Sequence, residues 1–373
     1  MTERGKTEMT DQVPDLEGGG ACFEALLDWY RKNRRDLPFR RDRDPYHIWV
    51  SEIMAQQTRI EAMVPYYERF MTLFPTIRAL AEADEDTLHK AWQGLGYYSR
   101  VRNLQKTARL TAAAGLPETK EELEKLPGIG PYTAGAIASI AFGQRAAAVD
   151  GNVLRVFSRL YDIRKDVMKP QTKRLIEQLV LQAMRKPYGD FTQALMELGA
   201  LVCTPGMPDC SSCPVKPWCR ALEPWTLPVL PEKKKKTEET KRFVLYTDGR
   251  RLYLEKRPAR GLLAGLYGFP ELEPDMEAAA ERSGLKLKGY DHVFTHRIWH
   301  IEGVMLPAEV DFSGEMHTLE EIEADFAIPT AFQPLYRQAA AILRDSEDGK
   351  RAAWKHQRLT EEEGDSEHEK HDD

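Results

Sequence analysis

From Cys22 to about Leu222 the apolar residues recur at three- and four-residue intervals, the period of helices with one buried face. Phe23, Leu26, Leu27 and Tyr30 share the first such face. The pattern breaks at Asp36-Leu37-Pro38-Phe39, because proline cannot continue a helix, and restarts at Asp44-Pro45-Tyr46, a capping acid followed by a first-turn proline. A later helix is made of small residues, Ala134, Gly135, Ala136, Ala138 and Ala141, and stops at Gly143. After Lys241 the period changes to that of strands. Phe243 to Tyr246 and Leu252 to Leu254 flank a hairpin turn at Asp248-Gly249, and further strands are expected at Leu285 to Leu287 and Ile298 to Met305. A glycine-rich loop from Arg260 to Pro270 and a short helix from Met276 to Arg282 complete a mixed α/β domain over 241–344. Residues 223–240, rich in proline, lysine and glutamate, predict an interdomain linker; residues 1–20 and the acidic tail 345–373 hold too little apolar surface to fold and are expected to be disordered.

Charge changes this picture in one respect. The 373 residues carry a formal net charge of −6, which argues against a polyanionic partner, but residues 21–222 alone carry +6. That asymmetry permits the helical domain to meet nucleic acid while the rest balances the total. No apolar leader and no run of 18 apolar residues occurs, so a cytoplasmic chain with no membrane association is expected. Of five cysteines, Cys22 stands alone and reads as a small buried apolar residue. Cys203, Cys210, Cys213 and Cys219 crowd into one segment, Cys-x6-Cys-x2-Cys-x5-Cys, which predicts a metal site in a reducing compartment. Zinc is the ordinary occupant of such sets; with one Cys-x2-Cys unit where paired zinc knuckles have two, the spacing favours a 4Fe-4S cluster.

The chemistry gathers around Leu126-Pro127-Gly128-Ile129-Gly130-Pro131-Tyr132 and the return to Val149-Asp150-Gly151-Asn152. Gly128 and Gly130 permit left-handed backbone, and the helix opening at Pro131 offers free N–H groups, together a nest for phosphate. An ordinary interhelical turn has the same Gly-x-Gly, so the hairpin alone is weak evidence. Glu52 lies one turn after Ile48 and Trp49; desolvation there raises a carboxyl pKa and suits a general acid, although most glutamates on such helices face solvent. Gln56, Gln57 and Thr58 follow it as polar groups able to read base edges or fill the space of an extruded base. In Trp92–Asn103, the turn glycines Gly94 and Gly96 stand beside Tyr97, Tyr98, Arg100 and Arg102, which suits base stacking and phosphate pairing. Asp150 is at least a helix cap, expected to stay ionised, and the helix and loop between Tyr132 and Asp150 allow both to face one groove.

Taken together, these motifs resemble the MutY-type adenine DNA glycosylases of the helix-hairpin-helix superfamily, over roughly residues 21–340. The carriers are Ser51–Thr58, Gly94–Arg100, the hairpin, Val149–Asn152, the four cysteines and Gly261–Leu266. The resemblance implies an all-α glycosylase domain with an iron-sulfur loop (21–222) followed by a Nudix-like lesion-recognition domain. It also implies that Glu52 protonates N7 of a flipped adenine and Asp150 stabilises the cationic sugar, while Tyr132 and Asn152 shape that site. Gln57 and Tyr97 would enter the base stack, and Cys203, Cys210, Cys213 and Cys219 would ligate a 4Fe-4S cluster. The implied partner is duplex DNA with adenine opposite 8-oxoguanine or guanine, and a monomer is expected. Lesion reading falls to His292-Val293-Phe294-Thr295-His296, with Thr295 where the family usually has serine. Ala55 and Gly268 also depart from common family residues, leucine and glutamate. The Arg-Glu-x-x-Glu-Glu string of Nudix hydrolases is absent from Gly261–Gly284, so no magnesium-dependent nucleotide hydrolysis is expected. Two alternatives remain: an endonuclease III-like glycosylase and lyase, which would carry lysine at position 132, and a non-catalytic iron-sulfur lesion-binding protein, which would lack Glu52 or Asp150.

Overall fold

The structure, a computed structural model, describes residues 16–232, 235–308 and 313–347. Two compact units emerge. One is built from the chain up to Ala83 and from Ser99 to the linker, and the other joins Asp84–Tyr98 to the chain beyond the linker. Of the disorder expected for 1–20 and 345–373, the parts at 1–15 and 348–373 lie outside the described residues, and the last helix runs to Glu347, into the expected tail. Leu16, however, is buried and the first helix already starts at Gly19, ahead of the boundary expected at residue 20.

The helices of the first half are α1 (Gly19–Asn33), α2 (Pro45–Ala55), α3 (Ile60–Leu73), α4 (Ile77–Glu82), α5 (Glu85–Trp92), α6 (Ser99–Thr111), α7 (Lys120–Leu123), α8 (Pro131–Ile140), α9 (Gly151–Leu160), α10 (Pro170–Ala183) and α11 (Tyr188–Leu201). All but α5 belong to the first unit. Asp44 caps α2 by accepting from the Tyr46 N–H at 2.8 Å, and Pro45 takes the first turn where its missing N–H costs nothing. Helix α2 buries Tyr46, Ile48, Trp49, Val50, Ile53 and Met54, so it runs through the interior with apolar contact on most sides. Helices α1, α9, α10 and α11 enclose a second part of the core around Phe23, Phe157, Ile176 and Phe191. The small residues of α8 have a steric cause: a Cβ on Gly135 would stand 2.0 Å from the Ala147 carbonyl oxygen, so the chain returning toward Asp150 touches the helix backbone.

The second unit contains β1 (Thr237–Thr247), β2 (Leu252–Tyr253), β3 (Glu255–Lys256), β4 (Tyr267–Gly268), β5 (Leu285–Val293), β6 (Arg297–Pro307) and β7 (Met316–His317), with α12 (Glu277–Ser283), α13 (Leu319–Asp325) and α14 (Gln333–Glu347). Five strands form one sheet in the order β5-β6-β1-β2-β7. Strands β1 and β6 run parallel from Thr237 opposite Arg297 to Thr247 opposite Pro307; the other pairs in this sheet are antiparallel. Alternation along β1 divides the core, since Phe243 and Leu245 face Phe332, Leu335 and Ala339 while Val244 meets Ala280 of α12 on the other side. Neither α13 nor α14 is among the elements expected from the apolar pattern. Strand β1 begins at Thr237, inside the expected linker, because pairing with β6 satisfies its backbone groups. No helix among the described residues is long and apolar enough to cross a membrane.

Candidate active site

A cavity of about 1070 Å³ in the first unit is lined by Glu52, Tyr132, Asp150 and Asn152. Helix α2 supplies Glu52, the first turn of α8 supplies Tyr132, and Asp150 caps α9 by accepting from the Val153 N–H at 2.7 Å. The Tyr132 hydroxyl donates to Glu52 Oε2. Burial pushes the Glu52 carboxyl up to about 7, reinforced by the charge of Asp150 and opposed by the Tyr132 hydrogen bond and the Arg40 charge. The Tyr132 phenol is raised well above its ordinary value by the same burial and by both carboxylates. Asp150 is held differently. Asn152 Nδ2 donates to its Oδ2 at 2.7 Å, and Arg155 Nη2 donates to Asn152 Oδ1 at 2.8 Å. Burial moves the Asp150 carboxyl upward, against the Val153 and Asn152 donors and the Arg155 charge. Those donors favour its anion, whereas burial is the largest influence on Glu52 and favours its protonated form.

Gln57 stands exposed at the rim of this cavity with φ of 61°, a left-handed conformation unusual for glutamine. At the hairpin, Gly128 takes φ of 76° and a Cβ there would meet Asn103 Cβ at 2.6 Å. Gly130 does not need left-handed backbone, contrary to expectation; its φ of −88° is open to any residue, and it precedes the N-terminus of α8. Arg100, expected at a phosphate, is buried instead. Its guanidinium donates to the carbonyls of Ile53, Met54 and Gln56, because the last turn of α2 leaves carbonyls without helical partners.

The four clustered thiols line a second cavity of about 410 Å³, bounded by α9 and α11. Arg159, almost fully buried on α9, donates to Cys203 Sγ at 3.3 Å and to the Thr204 carbonyl at 2.8 Å. Arg155, one turn earlier, donates to the Cys203 carbonyl at 2.7 Å, so one helix ties the cysteine segment to the Asp150 cap. Among the described residues no group of three or more His, Cys, Asp or Glu is gathered so as to hold a metal ion. The donor set nevertheless fits an iron-sulfur cluster, with four thiols on one cavity and a guanidinium beside one of them. Cys22 is fully buried as expected, and burial pushes its thiol up to about 12.

In the second unit, the β5–β6 hairpin carries the expected lesion loop. Thr295 and His296 are exposed at its tip, and Thr295 Oγ1 lies 2.8 Å from the hydroxyl of Tyr97, itself half exposed with φ of 47°. Phe294 turns inward against Trp299 and His292, with ring centroids 4.9 and 4.5 Å away, so it anchors the loop more than it presents a free face.

Residues 50–182 match the HhH-GPD superfamily of base excision DNA repair proteins, and residues 242–338 match a NUDIX domain. An adenine DNA glycosylase of Buchnera aphidicola subsp. Baizongia pistaciae is 34% identical over 296 residues, covering 75% of this chain and 83% of that protein. The chain belongs to the adenine DNA glycosylase family. The family member from Arabidopsis thaliana is 40% identical over 311 residues, 70% of this chain but 49% of the relative, and the chain covers 59% of the human relative. It therefore spans about half the length of these larger relatives. A solved thermostable thymine-DNA glycosylase is 25% identical with a TM-score of 0.51, covering 56% of this chain and 97% of that one.

Within the adenine DNA glycosylase family frame, two departures acquire a physical setting. Gly268 sits where a Cβ would stand 2.5 Å from Phe332, so the glutamate common there has no room beside this ring. Ala55 lines the cavity of about 1070 Å³, where the commoner leucine would add bulk beside Gln57. Sequence reasoning missed one charged set on the cavity wall. Glu197 is fully buried and accepts from Arg35 Nη2 at 2.9 Å and Arg40 Nη2 at 2.8 Å, which hold its carboxyl at about 2 despite burial. More than 150 residues separate these arginines from Glu197. The doubled arginines around the Pro38 break were the available signal.

Proposed function

We propose that this chain hydrolyses the N-glycosidic bond of adenine placed opposite 8-oxoguanine or guanine in duplex DNA and leaves the abasic strand uncut. The observation that carries the reading is a proton-holding Glu52 bonded to Tyr132 in the same cavity as Asp150. Glu52 gives its proton to N7 of the extruded adenine. The C1′–N9 bond then breaks with its electron pair leaving on the protonated base, and the cationic sugar faces the Asp150 carboxylate until water adds and gives up its proton, which restores the Glu52 acid. Asn152 keeps that carboxylate oriented, and Tyr132 orients Glu52. Tyr132 has no amine, so no Schiff base with the sugar can form at this position, which favours a monofunctional enzyme over a lyase.

Gly128, Gly130 and the start of α8 offer backbone N–H groups to a strand phosphate. Gln57 and Tyr97, both in left-handed backbone, enter the stack, and Thr295 with His296 reads 8-oxoguanine through a hydroxyl and ring edge. Cys203, Cys210, Cys213 and Cys219 hold a 4Fe-4S cluster, which when bound would crosslink their segment against α9 and α11. Incubation with duplexes carrying A opposite 8-oxoguanine, A opposite guanine, and oxidised pyrimidines tests this reading. Adenine release from the first two, with strand breaks only after alkali, is expected. Pyrimidine excision with spontaneous strand cleavage would return the endonuclease III-like alternative.

A further inference from the structure

A third, smaller cavity of about 90 Å³ lies between α2, α6 and the hairpin. Its polar border comprises Trp49, Gln56, Ser99, Arg100, Asn103 and the Gly128 backbone. Trp49 is 1% exposed, and its indole N–H has no hydrogen-bond partner among the described residues. Interiors rarely leave such a donor without an acceptor, so the cavity calls for an occupant that accepts. An acceptor-rich occupant also suits the charge. Among the described residues no aspartate or glutamate borders the cavity. The Arg100 guanidinium forms one wall while neutralising the carbonyl end of α2, and α6, thirteen residues long, begins at the exposed Ser99 with the positive end of its dipole. Gly128 is pressed against Asn103, so the occupant would also brace the hairpin from behind.

We propose that this cavity binds a phosphate oxyanion through the Trp49 indole N–H, the Asn103 amide and the N-terminus of α6. This assignment stands apart from the glycosylase reading, since it needs only a tetrahedral anion. Two sources share that chemistry, a backbone phosphodiester of DNA and free phosphate.

The test follows the Trp49 indole N–H resonance in the full-length, cluster-loaded protein labelled with nitrogen-15 tryptophan, assigned by Trp49→Phe. Titration with inorganic phosphate at constant ionic strength is expected to move this resonance saturably, with chloride leaving it in place. Asn103→Asp and, as a second variant outside the packed interior, Ser99→Asp each bring a carboxylate to the site and should weaken the phosphate response about tenfold or more, the worth of one charge-assisted hydrogen bond. A duplex that moves the resonance and abolishes the phosphate response identifies the backbone phosphodiester as the source; a phosphate response persisting in the DNA-bound protein identifies the free anion. A resonance indifferent to both phosphate and duplex, or variants that titrate like the parent, would mean that the cavity holds water only and would overturn the assignment.

Discussion

Replacing Glu52 by glutamine is expected to make the protein inactive and, above neutral pH, more stable. In the folded chain burial raises this carboxyl from its ordinary 4.5 to about 7. A carboxyl whose folded pKa lies above its unfolded one binds more protons when folded, so its contribution to stability falls as pH rises from 4.5 through 7 and the full penalty is present beyond. With each unit worth about 1.4 kcal/mol, the buried anion costs about 3 kcal/mol at pH 8 and under about 1 kcal/mol at pH 5. Glutamine keeps the shape and an acceptor for the Tyr132 hydroxyl but carries no charge. Thermal unfolding of Glu52→Gln should therefore show a Tm above the parent's by several degrees at pH 8, at most about 10 °C, shrinking to a degree or two at pH 5. Single-turnover adenine release should be lower by at least about 10²-fold in the same variant, with duplex binding retained, and in the parent should decline as pH rises through about 7. A variant less stable than the parent at pH 8, or a gap unchanged between the two pH values, would refute the desolvated carboxyl and with it the proton donor.

Other outcomes follow from the same geometry. Tyr132→Lys should gain strand cleavage trappable by borohydride, while efficient trapping in the parent would contradict the monofunctional reading. Anaerobically purified protein should be brown with about four irons per chain, and stoichiometric zinc without iron would remove the cluster assignment. Thr295→Val should reduce the preference for 8-oxoguanine over guanine opposite adenine by about tenfold, as loss of one hydrogen bond allows; equal preference in parent and variant would shift lesion reading to Gln57 and its neighbours. Gly135→Ala should destabilise the first unit by about 3 kcal/mol or more in denaturant unfolding, because its Cβ would lie 2.0 Å from the Ala147 carbonyl oxygen; a near-normal midpoint would mean that α8 can move.

What could be read without coordinates was local. The desolvation of Glu52 follows from Ile48 and Trp49 one turn away, the cap role of Asp150 from its place before a helix, and the β1–β2 turn from Asp248-Gly249. What escaped depends on partners far along the chain. Arg100 beside turn glycines has the look of a phosphate contact, yet its guanidinium answers carbonyls 44 to 47 residues earlier. Glu197 gives no periodic signal because its environment is made by Arg35 and Arg40 across the fold. Phe294 alternates inward on a hairpin whose register only pairing with β6 decides, and the need for glycine at 268 exists only once Phe332 is placed.

The grouping of Asp84–Tyr98 with the later half of the chain bears on how the protein is born. Two partners of helix α5 come late: Asp86 pairs with Lys256 at 2.9 Å, 170 residues on, and Lys90 reaches the Phe326 carbonyl at 3.0 Å, 236 residues on. At roughly 5–20 residues per second of synthesis, this segment leaves the ribosome about ten to fifty seconds before the strands and helix that receive it. Through that interval the helix lacks these two contacts with the later chain. A stop codon in the second domain therefore also removes contacts from a helix in the first half, more than its position suggests.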